Sequence, residues 1–168
     1  MHDIDELLSQ LTEQPKVIAS LTAHVPRARL HRAISGDEWS LNDVLAHLRS
    51  CSDMWGDYMR VIATQDHPSF KAMNPTTWID HTNYRELEFV RSFTAYARQR
   101  ATLLSFLRKL PPAAWSRTAL VSGAGAPRER TLLEYAKRLA DHERTHVRHI
   151  ARVVEGRRSV RRSSTLLR

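Results

Sequence analysis

The sequence predicts an all-α fold: a four-helix bundle with long interhelix loops. Three observations lead there. Four long segments repeat apolar residues at three- and four-residue intervals. No segment alternates with period two over a useful length, and the 119–123 stretch is too short to argue for a sheet. Ala, Leu, Arg and Glu dominate, with only five glycines in 168 residues, a composition that favours helices. At 42% hydrophobic and 26% charged residues the chain is globular in type. One domain of this size can bury about 70% of its unfolded surface.

The first helix is expected from about Asp3 to Val25, with Ile4, Leu7, Leu8, Leu11, Ile18, Leu21 and Val25 on one face. Pro15 lacks an N–H and is expected to kink or break it. The second helix starts at Ser40, where Ser40 and Asp43 form a capping-box pattern, and runs to about Thr64. Its face holds Leu41, Val44, Leu45, Leu48, Trp55, Met59 and Ile62. A loop over 66–80 follows. The third helix is predicted from Tyr84 to Leu110, ended by Pro111-Pro112, with Phe89, Phe93, Tyr96, Leu103, Leu107 and Leu110 as its stripe. A second loop covers 111–130. Thr131 and Glu134 then make a full capping box for a fourth helix, from Leu132 to about Val154, which Gly156 is placed to stop. Loops of 15–20 residues are long for a bundle, and loops of that length often carry function.

Residues 157–168 hold five arginines and no acid, so they account for +5 of the net +8 and leave +3 on the other 156 residues. The chain therefore divides into a bundle domain over 1–155 and a basic, disordered tail over 156–168. A solvated end is the simpler reading of the tail than a nucleic-acid or anionic-lipid contact, and no nucleic-acid-binding motif supports specific recognition. No run of about 18 apolar residues predicts a membrane span, and the acidic first 25 residues do not read as a signal peptide. With the single cysteine Cys51, these features point to a reducing cytoplasm.

Nine histidines are present, and three are placed for chemistry. Tyr135, Leu139, His142, His146, His149 and Val153 follow helical spacing, so His142 and His146 lie one turn apart on a face that also carries Leu139. Residues at i and i+4 stand about 5–6 Å apart at Cβ, which suits two imidazoles sharing one ion. His47, three residues after Val44 and four before Cys51, lies on or beside the apolar face of the second helix. It is placed to supply a third ligand across the bundle and leave a position open for water or substrate. Spacing alone leaves a second reading in which these are packed or hydrogen-bonded histidines. On spacing alone His149, three residues after His146, is a further possible ligand.

The segment His142-Glu-Arg-Thr-His146 also matches H-E-x-x-H, in which Glu143 would be the general base. The protease context is missing: only 22 residues follow His146, and His149 and Arg152 stand where the extended motif needs Gly and His. Glu143 is thus a weak catalytic candidate. Asp141 or Glu143 would orient a ligating imidazole, or equally pair on the surface with Arg138 or Arg144. Cys51 reads first as a small core residue. The four tryptophans read as packing anchors, with Trp78 and Phe70 as lids over a pocket.

The stretches Asp37-Glu-Trp-Ser-Leu-Asn-Asp-Val-Leu-Ala-His-Leu48 and 131–150, closing on His142-x-x-x-His146, resemble the DinB-like (DinB/YfiT) superfamily. In element order the resemblance spans about 3–154. It implies an up-down-down-up bundle and a divalent metal, zinc or nickel, held by His47, His142 and His146. Some such proteins are thiol S-transferases using bacillithiol or mycothiol, and one related group isomerises maleylpyruvate with a thiol cofactor. Many have no established reaction, and many are dimers. The resemblance implies a metal-dependent transferase acting with a low-molecular-weight thiol on a small-molecule substrate, or a small-molecule hydrolase, with a non-catalytic metal-binding stress-response bundle as the alternative. The resemblance implies a peripheral role for His149 rather than a ligand's; it stands where the family often carries glutamine, and the Arg-rich tail is outside the pattern.

Overall fold

The computed structural model describes residues 2–33, 39–123 and 125–165, with the side chains of these segments described from Asp3 to Glu155. Asp37 and Glu38, which open the first motif, lie outside the described residues, as do the side chains of the basic tail. Four long helices dominate: α1 (His2–Thr22), α2 (Leu41–Thr64), α3 (Phe89–Leu107) and α4 (Leu132–Thr165).

The pairings give the directions. Asp3 meets Lys137, so the starts of α1 and α4 lie together. Arg49 meets Ser92, and Gly56 faces Leu103, so α2 and α3 run parallel. His47 meets His142 whereas Tyr58 meets Tyr135, so α2 and α4 run antiparallel. Thr12 meets Arg108, and α1 opposes α3. The bundle is therefore up-down-down-up, with α1 diagonal to α2 and α3 diagonal to α4.

Pro15 sits inside α1 without ending it. A missing bond and ring clash cost about 3 kcal/mol. Leu11 and Ile18, fully buried on either side, each contribute about 1.5–3 kcal/mol by leaving water, which outweighs that cost. The α2 start is as expected. Ser40 Oγ accepts from Asp43 N at 3.1 Å and Asp43 Oδ2 accepts from Ser40 N at 2.8 Å. The third helix begins five residues later than its periodicity suggests, because Asn42 Nδ2 donates to the carbonyls of Arg85 and Leu87 at 3.0 and 3.1 Å and holds that stretch in a separate turn. Thr131 and Glu134 cap α4 as predicted. Gly156 does not stop α4, which continues to Thr165. A glycine inside a helix costs only about 1 kcal/mol, and the arginines around it are good helix formers.

A small sheet, not expected from the sequence, joins the two long loops. β1 (Ser69–Lys71) runs parallel to β2 (Thr118–Ser122), which pairs antiparallel with β3 (Arg128–Thr131). Ser69 lies opposite Leu120, and Thr118 opposite Thr131. Ala119 and Val121 point into the core and Leu120 out, so the sheet covers the end of the bundle where α2 finishes and α4 begins.

The core has two apolar regions. One lies under the sheet around Met59, Leu107 and Leu132; the other surrounds Leu45, Leu48 and Tyr96 near the start of α2. A polar layer with one residue from each helix occurs beside them: Gln14, Ser52, Arg100 and Glu143, all buried. Among the described residues no helix is long and apolar enough to cross a membrane.

Candidate metal centre

His47 projects from the second turn of α2, where the Ser40 cap fixes the helix start. His142 and His146 project from consecutive turns of α4, opposite it. The antiparallel packing of α2 and α4 brings the three together. His47 Nε2 lies 3.0 Å from His142 Nε2, which lies 3.3 Å from His146 Nε2. One ring nitrogen from each falls within 4.8 Å of the others. Nitrogens sharing one ion at about 2.0–2.1 Å stand about 2.9–3.4 Å apart, for right-angle to tetrahedral coordination. Two bare imidazole nitrogens at 3.0 Å repel unless a proton or cation lies between them. The donor set and its spacing thus fit a divalent transition metal.

The surroundings keep the imidazoles neutral, the form that ligates. Burial, then the charges of His146 and Arg85, lowers the His47 pKa to about 4, against which a hydrogen bond to the backbone of Pro75 works. Burial, with His146, His47 and Arg138, lowers His142 to about 3. Burial and the neighbouring His149 also push His146 down. Trp39 and Trp55 wall the site, with ring centroids 5.1 Å from His47 and 5.0 Å from His142. His149 stands outside the converging group.

Cys51 Sγ lies 3.6 Å from His47 Nε2, fully buried, and burial pushes its thiol up to about 12. It is therefore a protonated core thiol, not a thiolate. Glu143 lies between the two α4 histidines in sequence but turns the other way. Its Oε1 is ion-paired with Arg100 and accepts from Tyr96 Oη at 3.0 Å and Ser52 Oγ at 3.4 Å. Asp141 pairs with Arg144 on the surface.

The sequence reading missed Arg100. Its clue was the gap between Tyr96 and Leu103 in the α3 stripe, which falls on Arg100. Phe70 stacks on Tyr58 and Trp78 packs against His81. Neither lines the cavity near the histidines that Trp55, Tyr58 and Tyr135 wall.

A family model described as the DinB superfamily matches residues 10–150. The chain belongs to the DinB superfamily. Its fold is shared with YfiT from Bacillus subtilis, described as a probable metal-dependent hydrolase with an unusual four-helix bundle topology. That match has a TM-score of 0.76 at 16% identity and covers 90% of this chain and 85% of that one. A mycothiol-dependent maleylpyruvate isomerase also matches, with a TM-score of 0.67 at 15% identity over 85% of this chain. This DinB-superfamily chain spans 58% of the isomerase's length. The comparison with curated protein sequences finds no match.

Proposed function

We propose that this protein is a metal-dependent enzyme acting on a small-molecule substrate together with a low-molecular-weight thiol, and that His47, His142 and His146 hold the metal. The observation that carries this reading is the convergence of three neutral imidazoles from two helices. Zinc and nickel both suit such nitrogen donors. A cation bound by three neutral ligands keeps its full charge, and would supply the Lewis acidity that favours a thiol's anionic form. The likeness to a mycothiol-dependent isomerase supports the thiol.

The chain's own residues would do the rest. The Pro75 hydrogen bond orients the His47 ring, and Trp39 and Trp55 exclude water from two sides. Among the described residues no carboxylate joins the histidine group, and Glu143 is engaged by Arg100, so no side-chain base stands ready there. That favours a nucleophile that ionises readily: a free thiol has a pKa of about 8.5. Hydrolysis is a second reading, supported by the likeness to YfiT.

Metal analysis of protein purified without added metal should give about one equivalent per chain, absent from His47→Ala. Conjugation of 1-chloro-2,4-dinitrobenzene with mycothiol, bacillithiol and cysteine should proceed in wild type and not in that variant. Thiol-independent cleavage of p-nitrophenyl acetate, lost in the same variant, would replace transfer with hydrolysis. Metal without turnover in either assay would leave a non-catalytic binding protein.

A further inference from the structure

Between the sheet, the first turns of α4 and the middle of α2 lies a cavity of about 480 Å³. Its walls are of two kinds. Trp55, Tyr58 and Tyr135, each more than nine-tenths buried, form an aromatic floor. Tyr58 is held rigidly: its hydroxyl accepts from Met73 N at 3.0 Å and its ring stacks on Phe70 at 4.3 Å. The other wall carries three guanidinium groups, from Arg128 and Arg130 on β3 and Arg138 on α4.

One carboxylate, Glu134, faces the same space, and it is already used. It accepts from Thr131 N in the helix cap and from Arg130 Nη1 at 3.2 Å. Among the described residues, Arg128 and Arg138 have no carboxylate in ion-pair range. Arg138 lies over the Trp55 ring at 5.4 Å, a position that fixes its plane without neutralising it. A cluster of cations facing an aromatic floor is complementary to one kind of molecule. Guanidinium forks match carboxylate and phosphate oxygens two at a time, and the floor matches a flat apolar body.

We propose that this cavity binds a small organic anion, a carboxylate or phosphate monoester on an aromatic or unsaturated body, held by Arg128 and Arg138 over Trp55 and Tyr135. The proposal deepens the enzyme reading in one respect, the placing of this anion beside the metal centre. Arg138 lies one turn before His142 on α4, Trp55 is edge-on to His142, and Pro75, on the cavity wall, bonds His47. The cavity and the histidines share these walls, so an occupant is separated from the ligating rings by Trp55 and Pro75.

The test is calorimetric titration of chelator-treated, metal-free protein with isophthalate, phenyl phosphate and benzyl alcohol. At least one anion should bind tenfold or more tightly than the neutral alcohol, with affinity falling as salt is added. The preference between the two anions identifies the headgroup. The double variant Arg128→Gln/Arg138→Gln should lose at least tenfold for that anion. Arg144→Gln, which removes a surface cation outside the cavity, should bind as wild type does. Equal binding of anions and alcohol, binding of neither anion, or undiminished affinity in the double variant overturns the proposal. Salt dependence in the wild type tests it even if the double variant does not fold. Because metal is absent throughout, anion binding with no metal uptake would sink only the enzyme reading, and metal uptake without anion binding would sink only this one.

Discussion

Glu143 is flanked by His142 and is three residues from His146, yet it faces the bundle interior, because adjacent residues on a helix point about 100° apart. Its partner Arg100 is 2% exposed and Glu143 itself 0%, so neither charge is hydrated by bulk water. Removing one partner of such a pair strands the other, at a typical cost of about 3–5 kcal/mol, while replacing both by apolar residues is often near neutral. Arg100→Met and Glu143→Leu should therefore each lower the denaturation midpoint strongly, and the double variant should be less destabilised than the sum. Additive losses in urea titrations would show that the pair is not coupled. A second residue-scale prediction concerns acid. The folded pKa values of His47 and His142, about 4 and about 3, lie below the ordinary 6.5. The unfolded chain thus takes up protons below pH 6.5 that the folded chain refuses, and stability must fall as pH falls from there toward 4. Metal-free protein should lose on the order of 1–2 kcal/mol between pH 7 and pH 5, after allowing for solvent screening at half-buried His142. His47→Phe should reduce that slope, as read from urea midpoints at the two pH values.

At the scale of elements, what was legible in the sequence follows the strength of the local signal. Ser40 with Asp43 and Thr131 with Glu134 mark their helix starts to the residue, because a capping box is a short-range hydrogen-bond pattern. His47, His142 and His146 were legible as candidates because helical spacing puts each on an apolar face, and only their convergence needed the tertiary fold. The start of α3 was not legible, since it is set by Asn42, more than forty residues away. The strands escaped because three to five residues give periodicity too little room, even though β2 does alternate, with Ala119 and Val121 inward. The β2–β3 turn has its own requirement. Gly123 has φ +85°, and a Cβ there would lie 2.6 Å from Lys71 Cγ. Gly123→Ala should combine left-handed strain of about 1–2 kcal/mol with displacement of Lys71. Thermal melts should show the loss, and the cavity that Gly123 lines should bind its anion more weakly.

On the scale of the whole molecule, the three histidines join α2 to α4, helices whose contact also carries the sheet end of the core. A ligand that binds only the folded chain adds RT ln(1 + [L]/Kd) to its stability, about 4 kcal/mol at a thousandfold excess over Kd. No unfolded chain holds these rings together, because His47 and His142 are 95 residues apart. Metal should therefore act as a clamp between α2 and α4. Adding zinc or nickel to metal-free protein should raise the melting temperature by several degrees, and a chelator should reverse the rise. His47→Ala leaves two ligands on one helix and none opposite, so that variant should keep little of the shift while remaining folded. The clamp reading requires the loss to be selective. His149→Ala, on the same helix but outside the converging group, should keep the full metal-dependent rise. If His149→Ala lost the shift while His47→Ala kept it, the ion would be sitting along the His142-His146-His149 face of α4, and the bridge between the helices would be wrong.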